Sequence, residues 1–257
     1  MGHMKGGRQP LRKRLQRGFT MVEVIVAIGM LTLVGLAAAQ FAITAVHSSY
    51  AHQQRSIAVG LAESGMEQVQ ESVKGKDGNT IFSTLTSGMA KSQAQEALKT
   101  ASDLNVIENA ADTIDLGWSD TPSATAIQAK VETTDQQGKG TKYTVYTVVG
   151  KCYRLSTQAS CLSASKQGLV TTAGAVGSFK YVGQGNTAVE AASIADHTKF
   201  PTGPFNTGTA ASQTYSPMVR VVVLVTWPDS QHQGKTCWYS TATIFDGSND
   251  DTLKTKD

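Results

Sequence analysis

The chain has 257 residues, of which 40% are hydrophobic and 17% are charged, a composition typical of a globular protein and not of a disordered chain. Residues 1–18 hold six of the 23 Lys and Arg residues and no acid, so the remaining chain has 17 basic and 20 acidic residues, a net charge of −3. The overall charge of +3 therefore belongs to the N-terminal segment, and the rest of the chain has no positive excess to offer to the phosphates of a nucleic acid.

The basic segment is followed by an apolar one. Residues 24–54 contain no Asp, Glu, Lys or Arg, and residues 24–46 are almost entirely apolar or small. As a helix with a rise of about 1.5 Å per residue, residues 24–46 would span roughly 35 Å, whereas the hydrocarbon layer of a bilayer is about 30 Å thick. Because Lys and Arg tend to stay on the cytoplasmic side, residues 1–18 are expected on the cytoplasmic side of the membrane. The chain beyond about Ala51 is expected on the opposite side.

A helical pattern continues beyond the apolar segment. Small and apolar residues recur at intervals of three and four, with polar residues on the other faces: Ala58, Ala62, Gly65, Met66, Val69 and Val73. This pattern predicts an amphipathic continuation of the same helix, which packs one stripe against a folded domain. The glycines and the sequence Lys76-Asp77-Gly78-Asn79 predict that the helix ends near residues 74–79.

The remaining residues predict a domain with a β-sheet. An alanine-rich pattern at residues 89–101 predicts one more helix. Runs of β-branched and aromatic residues predict three strands, the last two joined as an antiparallel hairpin: residues 143–149, 219–227 and 238–245. Between the first two strands, a long irregular loop is marked by Pro201, Gly203, Pro204, Gly208 and Pro217. The predicted fold class is α+β, with a long N-terminal α-helix packed on an antiparallel β-sheet.

The junction between the basic and apolar segments reads Arg17-Gly18-Phe19-Thr20-Met21-Val22-Glu23-Val24. It resembles the prepilin signal of type IV pilin-like proteins, and the resemblance covers about residues 12–73. In that family a membrane peptidase cuts a short basic leader after its glycine, and the new N-terminal residue, commonly Phe, is methylated. The resemblance therefore implies cleavage between Gly18 and Phe19, methylation of Phe19, and a role for Glu23, which matches the family's acidic fifth residue.

Glu23 needs a physical explanation, because a carboxylate at the start of a spanning helix costs about 3 kcal/mol or more unless it finds a partner or the interface. In a filament, the amine of Phe19 on one subunit could neutralise Glu23 on another and so set their register. The alternative is that Glu23 merely lies among the lipid headgroups. Gly29, Gly35 and Ala37-Ala38-Ala39 would permit close helix packing, whereas the mid-helix proline of many family members is missing here.

The resemblance implies a structural subunit, not an enzyme, of a type IV pilus or related pseudopilus, with no cofactor. Its partners would be other pilin subunits, the prepilin peptidase, and an assembly platform with its ATPase; nucleic acid is not indicated. Before assembly the chain would span the cytoplasmic membrane once with its head outside, and afterwards it would lie in an extracellular filament. The expected domains are a cleaved leader (residues 1–18), a long helix (residues 19–74, with a transmembrane part at 19–46), a head (residues 75–245) and a polar tail (residues 246–257). The large head favours a minor subunit.

Two other functions stay open. The first is an adhesive or DNA-binding subunit at the filament tip. The second is a secreted soluble protein, because a basic region, an apolar run and the small residues Ala37-Ala38-Ala39 also resemble a signal peptide that would be cleaved before Gln40. This second alternative explains neither Glu23 nor the helix that continues past the cleavage site.

The three cysteines are Cys152, Cys161 and Cys237. In an extracytoplasmic domain the short separation of Cys152 and Cys161 makes them the first choice for a disulfide, with Cys152 and Cys237 as the alternative. No metal site is predicted, because His197 and His232 have no paired spacing with other ligands.

Two glycine motifs could suggest nucleotide binding, but both are incomplete. Gly183-Gln184-Gly185 lacks the third glycine of a dinucleotide fingerprint, and Gly234-Lys235-Thr236 lacks the earlier glycine of a phosphate-binding loop. Five strand aromatics are interpreted as packing residues and not as a ligand platform: Tyr143, Tyr146, Trp227, Trp238 and Tyr239.

Overall fold

A computed structural model describes residues 19–135, 140–170, 177–185, 187–206, 213–229 and 234–246. The expected leader, residues 1–18, lies outside the described residues, as do residues 247–257 of the expected tail. The chain divides into two compact units, residues 1–50 and 51–257, with α1 contributing to both.

The first element, α1 (Met21–Val73), is one helix of 53 residues. Gly75 follows it with φ +71°, a left-handed conformation that favours glycine and ends helices. The predicted stripe is confirmed, because residues at intervals of three and four are buried along the second half of α1: Gln54, Ala58, Ala62, Met66, Val69 and Val73.

A second helix, α2 (Gly78–Thr86), begins where the sequence predicted only a turn. Asp77 is its N-cap, and the carboxylate accepts a hydrogen bond from the backbone N–H of Thr80 at 2.7 Å. This bonding to Thr80 lowers the pKa of Asp77. The turn interpretation was incomplete, because Asp and Gly occur at the start of helices as well as in turns that follow them. The apolar residues Ile81, Phe82 and Leu85, which are buried in α2, were the signal in the sequence for a new helix.

The helix predicted from the alanine pattern is confirmed as α3 (Lys91–Asp103), with Ala94, Ala97 and Ala101 buried. Two short helices, α4 (Ala110–Thr113) and α5 (Ala191–Ala195), were not predicted.

In the described part of the chain, eight strands form one antiparallel sheet. They are β1 (Asp115–Leu116), β2 (Lys130–Thr134), β3 (Lys142–Leu155), β4 (Cys161–Leu162), β5 (Lys180–Tyr181), β6 (Phe205–Asn206), β7 (Thr214–Pro228) and β8 (Thr236–Asp246). β3 and β7 pair along their length at the centre of the sheet. β1, β2 and β4 pair with the other side of β3, while β6 and β8 pair with the other side of β7.

The three predicted strands and the predicted hairpin are confirmed as β3, β7 and β8, all longer than expected. Pro217, however, lies inside β7 and not in the preceding loop. It stands between Tyr215, the last residue of β7 that pairs with β6, and Met218, the first that pairs with β8. A proline is tolerated there because no ladder partner occupies that edge of the strand.

Both faces of the central strands are covered. On one face, α1 and α2 pack against alternate residues of β7: Val219, Val221, Val223, Val225 and Trp227. On the other face, α3 packs against residues of β3 and β7: Tyr146, Val148, Val222 and Leu224. Gly65 of α1 permits a close approach, since a Cβ atom there would lie 3.2 Å from a methyl group of Val223. The alternation of the two faces along β7 therefore explains its almost continuous apolar sequence.

The region between β3 and β7 is more ordered than the expected irregular loop. It contains β4, β5, α5 and β6, and it has a core of its own with aromatic pairs. Phe205 is central to this core, with its ring 5.3 Å from that of Phe179 and 5.8 Å from that of Tyr215. Its aromatic residues are scattered along the chain, so no periodic pattern predicted this core.

Lys151 of β3 links the region between β3 and β7 to the sheet by hydrogen bonds. The side chain is 1% exposed, and its Nζ donates to three backbone carbonyls, those of Ser193 at 2.9 Å, Asp196 at 2.6 Å and Lys199 at 3.0 Å. Burial lowers the pKa of Lys151 to about 8, although the carboxylates of Asp115 and Asp196 oppose this shift. The lysine therefore satisfies backbone groups that would otherwise be left without a donor.

We predict that Lys151→Met destabilises the protein by about 2 to 4 kcal/mol near neutral pH, because three carbonyls lose their donor. Folded Lys151 releases its proton near pH 8, whereas the unfolded chain keeps it to about pH 10.5. Between these values the unfolded state binds more protons, so the unfolding free energy of the native protein, relative to that of the variant, rises with pH. Denaturant unfolding of both proteins in mild detergent, near neutral pH and in this window, measures the difference. A difference that shrinks as pH rises would contradict the lowered pKa.

Candidate processing and assembly site at the N-terminus

The predicted cleavage site lies at the start of the described chain. Gly18 is outside the described residues, while Phe19 is 80% exposed and, with Thr20, precedes the first helical residue, Met21. An amine created at Phe19 would therefore stand two residues before a helix.

Thr20 and Glu23 form the N-terminal cap of α1. The backbone N–H of Glu23 donates to Oγ1 of Thr20 at 3.3 Å, and the N–H of Val24 donates to the Thr20 carbonyl at 3.2 Å. This role of Thr20 was not predicted, although Thr followed by Glu three residues later is the signature of a capping box. Glu23 also lies in the first turn, where the helix dipole favours an acid by about 0.3 to 1 kcal/mol.

This local role does not offset the whole cost of the Glu23 charge. A carboxylate inside the apolar layer costs about 3 kcal/mol, several times what the helix dipole returns. The geometry of the chain therefore leaves most of the cost to be met by a partner or by the membrane interface.

The first half of α1 exposes its side chains on every face. All residues from 19 to 49 are exposed, and fourteen large hydrophobic side chains from Met21 to Val46 are at least 44% exposed. The helix has a window of mean hydropathy 2.3, and among the described residues it is the one helix long and apolar enough to cross a membrane.

Two threonine hydroxyls in this segment form hydrogen bonds within the helix. Oγ1 of Thr32 donates to the Gly29 carbonyl at 2.8 Å, and Oγ1 of Thr44 donates to the Gln40 carbonyl at 2.9 Å. Such bonds suit surroundings without water, where an unsatisfied hydroxyl is costly. A Cβ atom at Gly29 or Gly35 would meet nothing within 4 Å, so these small positions are open on the helix surface.

The alternative cleavage site lies in a different environment. Ala37-Ala38-Ala39 and Gln40 are in the middle of α1, which continues without a break to Val73. Gly35 is likewise within the continuous helix.

A disulfide joins Cys152 of β3 to Cys161 of β4, with a Cα–Cα distance of 5.3 Å. This is the first of the two pairings that the sequence left open. Cys237 is a free, half-buried cysteine of β8. Burial and, to a lesser degree, the charge of Asp229 raise the pKa of the Cys237 thiol, which disfavours the reactive thiolate.

The other residues considered from the sequence have structural roles in the head. The ring of His197 stacks on Trp118 at 3.9 Å, and its Nε2 lies 3.3 Å from the Asp120 carboxylate. His232 is outside the described residues. The described residues hold no group of three or more His, Cys, Asp or Glu able to bind a metal.

The glycine motifs lie in turns. Gly183, Gly185 and Gly234 have φ values of +77°, +65° and +83°, conformations that favour glycine whatever its function. Lys235 follows at the β7–β8 connection, where its carbonyl accepts a hydrogen bond from the Asp229 N–H at 2.9 Å.

Four of the strand aromatics pack inside the domain. Tyr143, Tyr146 and Trp227 are buried, and Tyr239 lies against the core beneath α1, whereas Trp238 is 44% exposed.

Comparison with known proteins identifies the N-terminal segment. Residues 13–39 match the family model of the prokaryotic N-terminal methylation motif, a range that includes Gly18, Phe19 and Glu23. Searches of curated proteins and of solved structures found no significant match to the chain. The chain thus carries a type IV pilin-like prepilin signal in front of a long helix and an antiparallel sheet.

Proposed function

We propose that the chain is a structural subunit of a type IV pilus or related pseudopilus, processed after Gly18 and assembled through its N-terminal helix. One observation carries the proposal: the methylation motif at residues 13–39 coincides with the start of a helix whose apolar residues are exposed on all sides. An anchor that only holds a protein in the membrane needs the exposed apolar helix but not the methylation motif.

The exposed apolar segment requires two successive environments. Burying fourteen large hydrophobic side chains is worth on the order of 20 kcal/mol or more, so water is not a stable surrounding for residues 21–46. The lipid bilayer supplies the first environment, with the head outside. In the filament, the same surface is covered by the helices of neighbouring subunits, which the open positions at Gly29 and Gly35 allow to come close.

Glu23 sets the register of assembly in this proposal. Cleavage creates a positively charged amine on Phe19, and methylation keeps that charge. When a subunit joins the filament, its amine meets Glu23 of a neighbour in apolar surroundings, where an unpaired carboxylate is strongly disfavoured. Positions that leave Glu23 unpaired are therefore rejected.

The partners and location follow from the same proposal. A prepilin peptidase cleaves the leader and methylates Phe19, and an assembly platform with its ATPase extracts the subunit from the cytoplasmic membrane into an extracellular filament. Adhesion or DNA binding at the filament tip would be an additional property of the same subunit. A secreted protein released before Gln40 has less support, because that site lies inside a continuous helix and the methylation motif would have no purpose.

We predict that the mature N-terminus is methylated Phe19. Mass spectrometry of the N-terminal peptide, from membranes and from sheared filaments, should find a chain one methyl group heavier than unmodified residues 19–257. Gly18→Glu should block cleavage and leave the leader attached in the membrane fraction. A mature chain that begins at Gln40 would contradict the pilin function and support secretion.

We predict that Glu23→Gln and Glu23→Ala are both cleaved and inserted, yet both are lost from sheared filaments, as measured by immunoblotting against the membrane pool. Glutamine at this position keeps a polar side chain of similar size but not the charge, so equal loss in the two variants assigns the effect to the charge of Glu23. Glu63→Gln, an exposed acid further along α1, is the matched control and should assemble normally. Normal assembly of Glu23→Gln with failure of Glu23→Ala would make Glu23 a helix cap only.

The size of the head favours a minor subunit. Quantitative mass spectrometry of sheared native filaments is then expected to find this chain at well below one copy per main subunit. Equal or greater abundance would make it the main subunit instead.

A further inference from the structure

β8 is an edge strand with a long unprotected edge. One side pairs with β7 over all eleven residues, from Thr236 opposite Pro228 to Asp246 opposite Met218. On its other side, no strand of the described chain pairs with it.

The composition of this edge departs from the usual pattern. Natural edge strands are protected against pairing by lysines, prolines, bulges or short length. Residues 236–245 contain no Lys, Arg, Asp, Glu, Pro or Gly, and they are rich in Thr and aromatic residues that favour strands. Trp238 and Ile244 are 44% and 47% exposed on the face away from α1.

The helices leave this edge accessible. Tyr239 and Phe245 pack toward the core beneath α1, so the helix covers one face of β8 and not its outer side. An open groove of about 1040 Å³ is lined by the last turns of α1, from Ser64 onwards, and by Ile81 and Phe245. It leaves space beside the C-terminal end of β8.

The opposite edge of the sheet is built differently. β2 has only five residues, and it carries Lys130 and Glu132, whose side chains lie 3.5 Å apart. Its second residue, Val131, is 47% exposed. β2 is therefore a short strand that carries two charged residues, whereas residues 236–245 of β8 carry none.

The two edge strands, β2 and β8, lie at the same level of the sheet and run in opposite directions. Pairing across the sheet runs from Glu132 through Thr144 and Thr226 to Trp238, so β2 lies level with the first half of β8. The four strands β2, β3, β7 and β8 are successively antiparallel, so β2 and β8 run in opposite directions. Two copies in the same orientation can therefore place β2 of one antiparallel to β8 of the other and continue the sheet.

We propose that β8 is a docking edge for β2 of a second copy of this chain. The inference rests on the proposed function, because a filament holds its subunits in one common orientation. The contact joins two different surfaces and does not close on itself, which is the kind of interface that builds open helical assemblies. It needs only two adjacent copies, so a subunit of low abundance can form it.

Cysteine crosslinking in assembled filaments tests the pairing. In a Cys237→Ser background, one population carries Ser240→Cys on β8 and a second carries Glu132→Cys on β2, two positions on the same face of the sheet. A short bismaleimide should produce a dimer of this chain when both populations are co-expressed, and no dimer when either is expressed alone. Adding Ala242→Lys to the Ser240→Cys chain should abolish the dimer, because a lysine protects the edge, whereas Ala242→Thr should retain it.

Controls separate this inference from the proposed function. Lys99→Cys, exposed on α3, replaces Glu132→Cys as the matched control and should give no dimer. Filaments that contain methylated Phe19 but give no β2–β8 dimer overturn the docking edge and leave the pilin function intact. A dimer of Ser240→Cys with itself, or a crosslink to a different protein in place of this chain, also overturns the proposed partner. Absence of methylated Phe19 tells against the proposed function itself.

Discussion

The structure depends on one helix that must satisfy two environments. Along residues 21–49 of α1 every residue is exposed and most are apolar, while from Gln54 to Val73 a single stripe is buried beneath a sheet. The hydrophobic effect makes water unsuitable for the first part, and the narrow stripe fixes the second part onto β7. The helix can therefore anchor a folded domain and at the same time supply a surface that only lipid or other helices can cover.

The charge of Glu23, near the start of this helix, costs more free energy in an apolar layer than its local contacts return. Thr20 caps α1, and the helix dipole favours Glu23, but these local effects return only about 0.3 to 1 kcal/mol against a cost of about 3 kcal/mol in an apolar layer. The remainder is large enough to decide whether the carboxylate stays in an apolar layer without a partner. The same reasoning explains why Thr32 and Thr44, whose hydroxyls bond within the helix, need no such partner.

The sheet is covered on both faces, and its two edges differ from each other. α1 and α2 cover one face, α3 covers the other, and the charged β2 ends one side. Lys151 and the disulfide between Cys152 and Cys161 hold the region between β3 and β7 against the same strand. Among the described strands, β8 alone combines length with an accessible edge that has no charged residue from 236 to 245. Its direction, opposite to that of β2, gives this edge a geometric partner in another copy.

The sequence by itself determined the features that rest on neighbours along the chain. The basic N-terminal segment and the prepilin junction are local features of the sequence. The buried stripe of α1, the alanine-rich α3 and the three long strands are local patterns with the period of a helix or a strand. Tertiary structure decided the rest: that Pro217 fits inside β7, that Cys152 pairs with Cys161 and not with Cys237, and that the ammonium of Lys151 meets carbonyls 42 to 48 residues away. Each of these depends on which distant segment returns to satisfy a polar group, cover a face or leave an edge open, and periodicity along the chain carries no information about such partners.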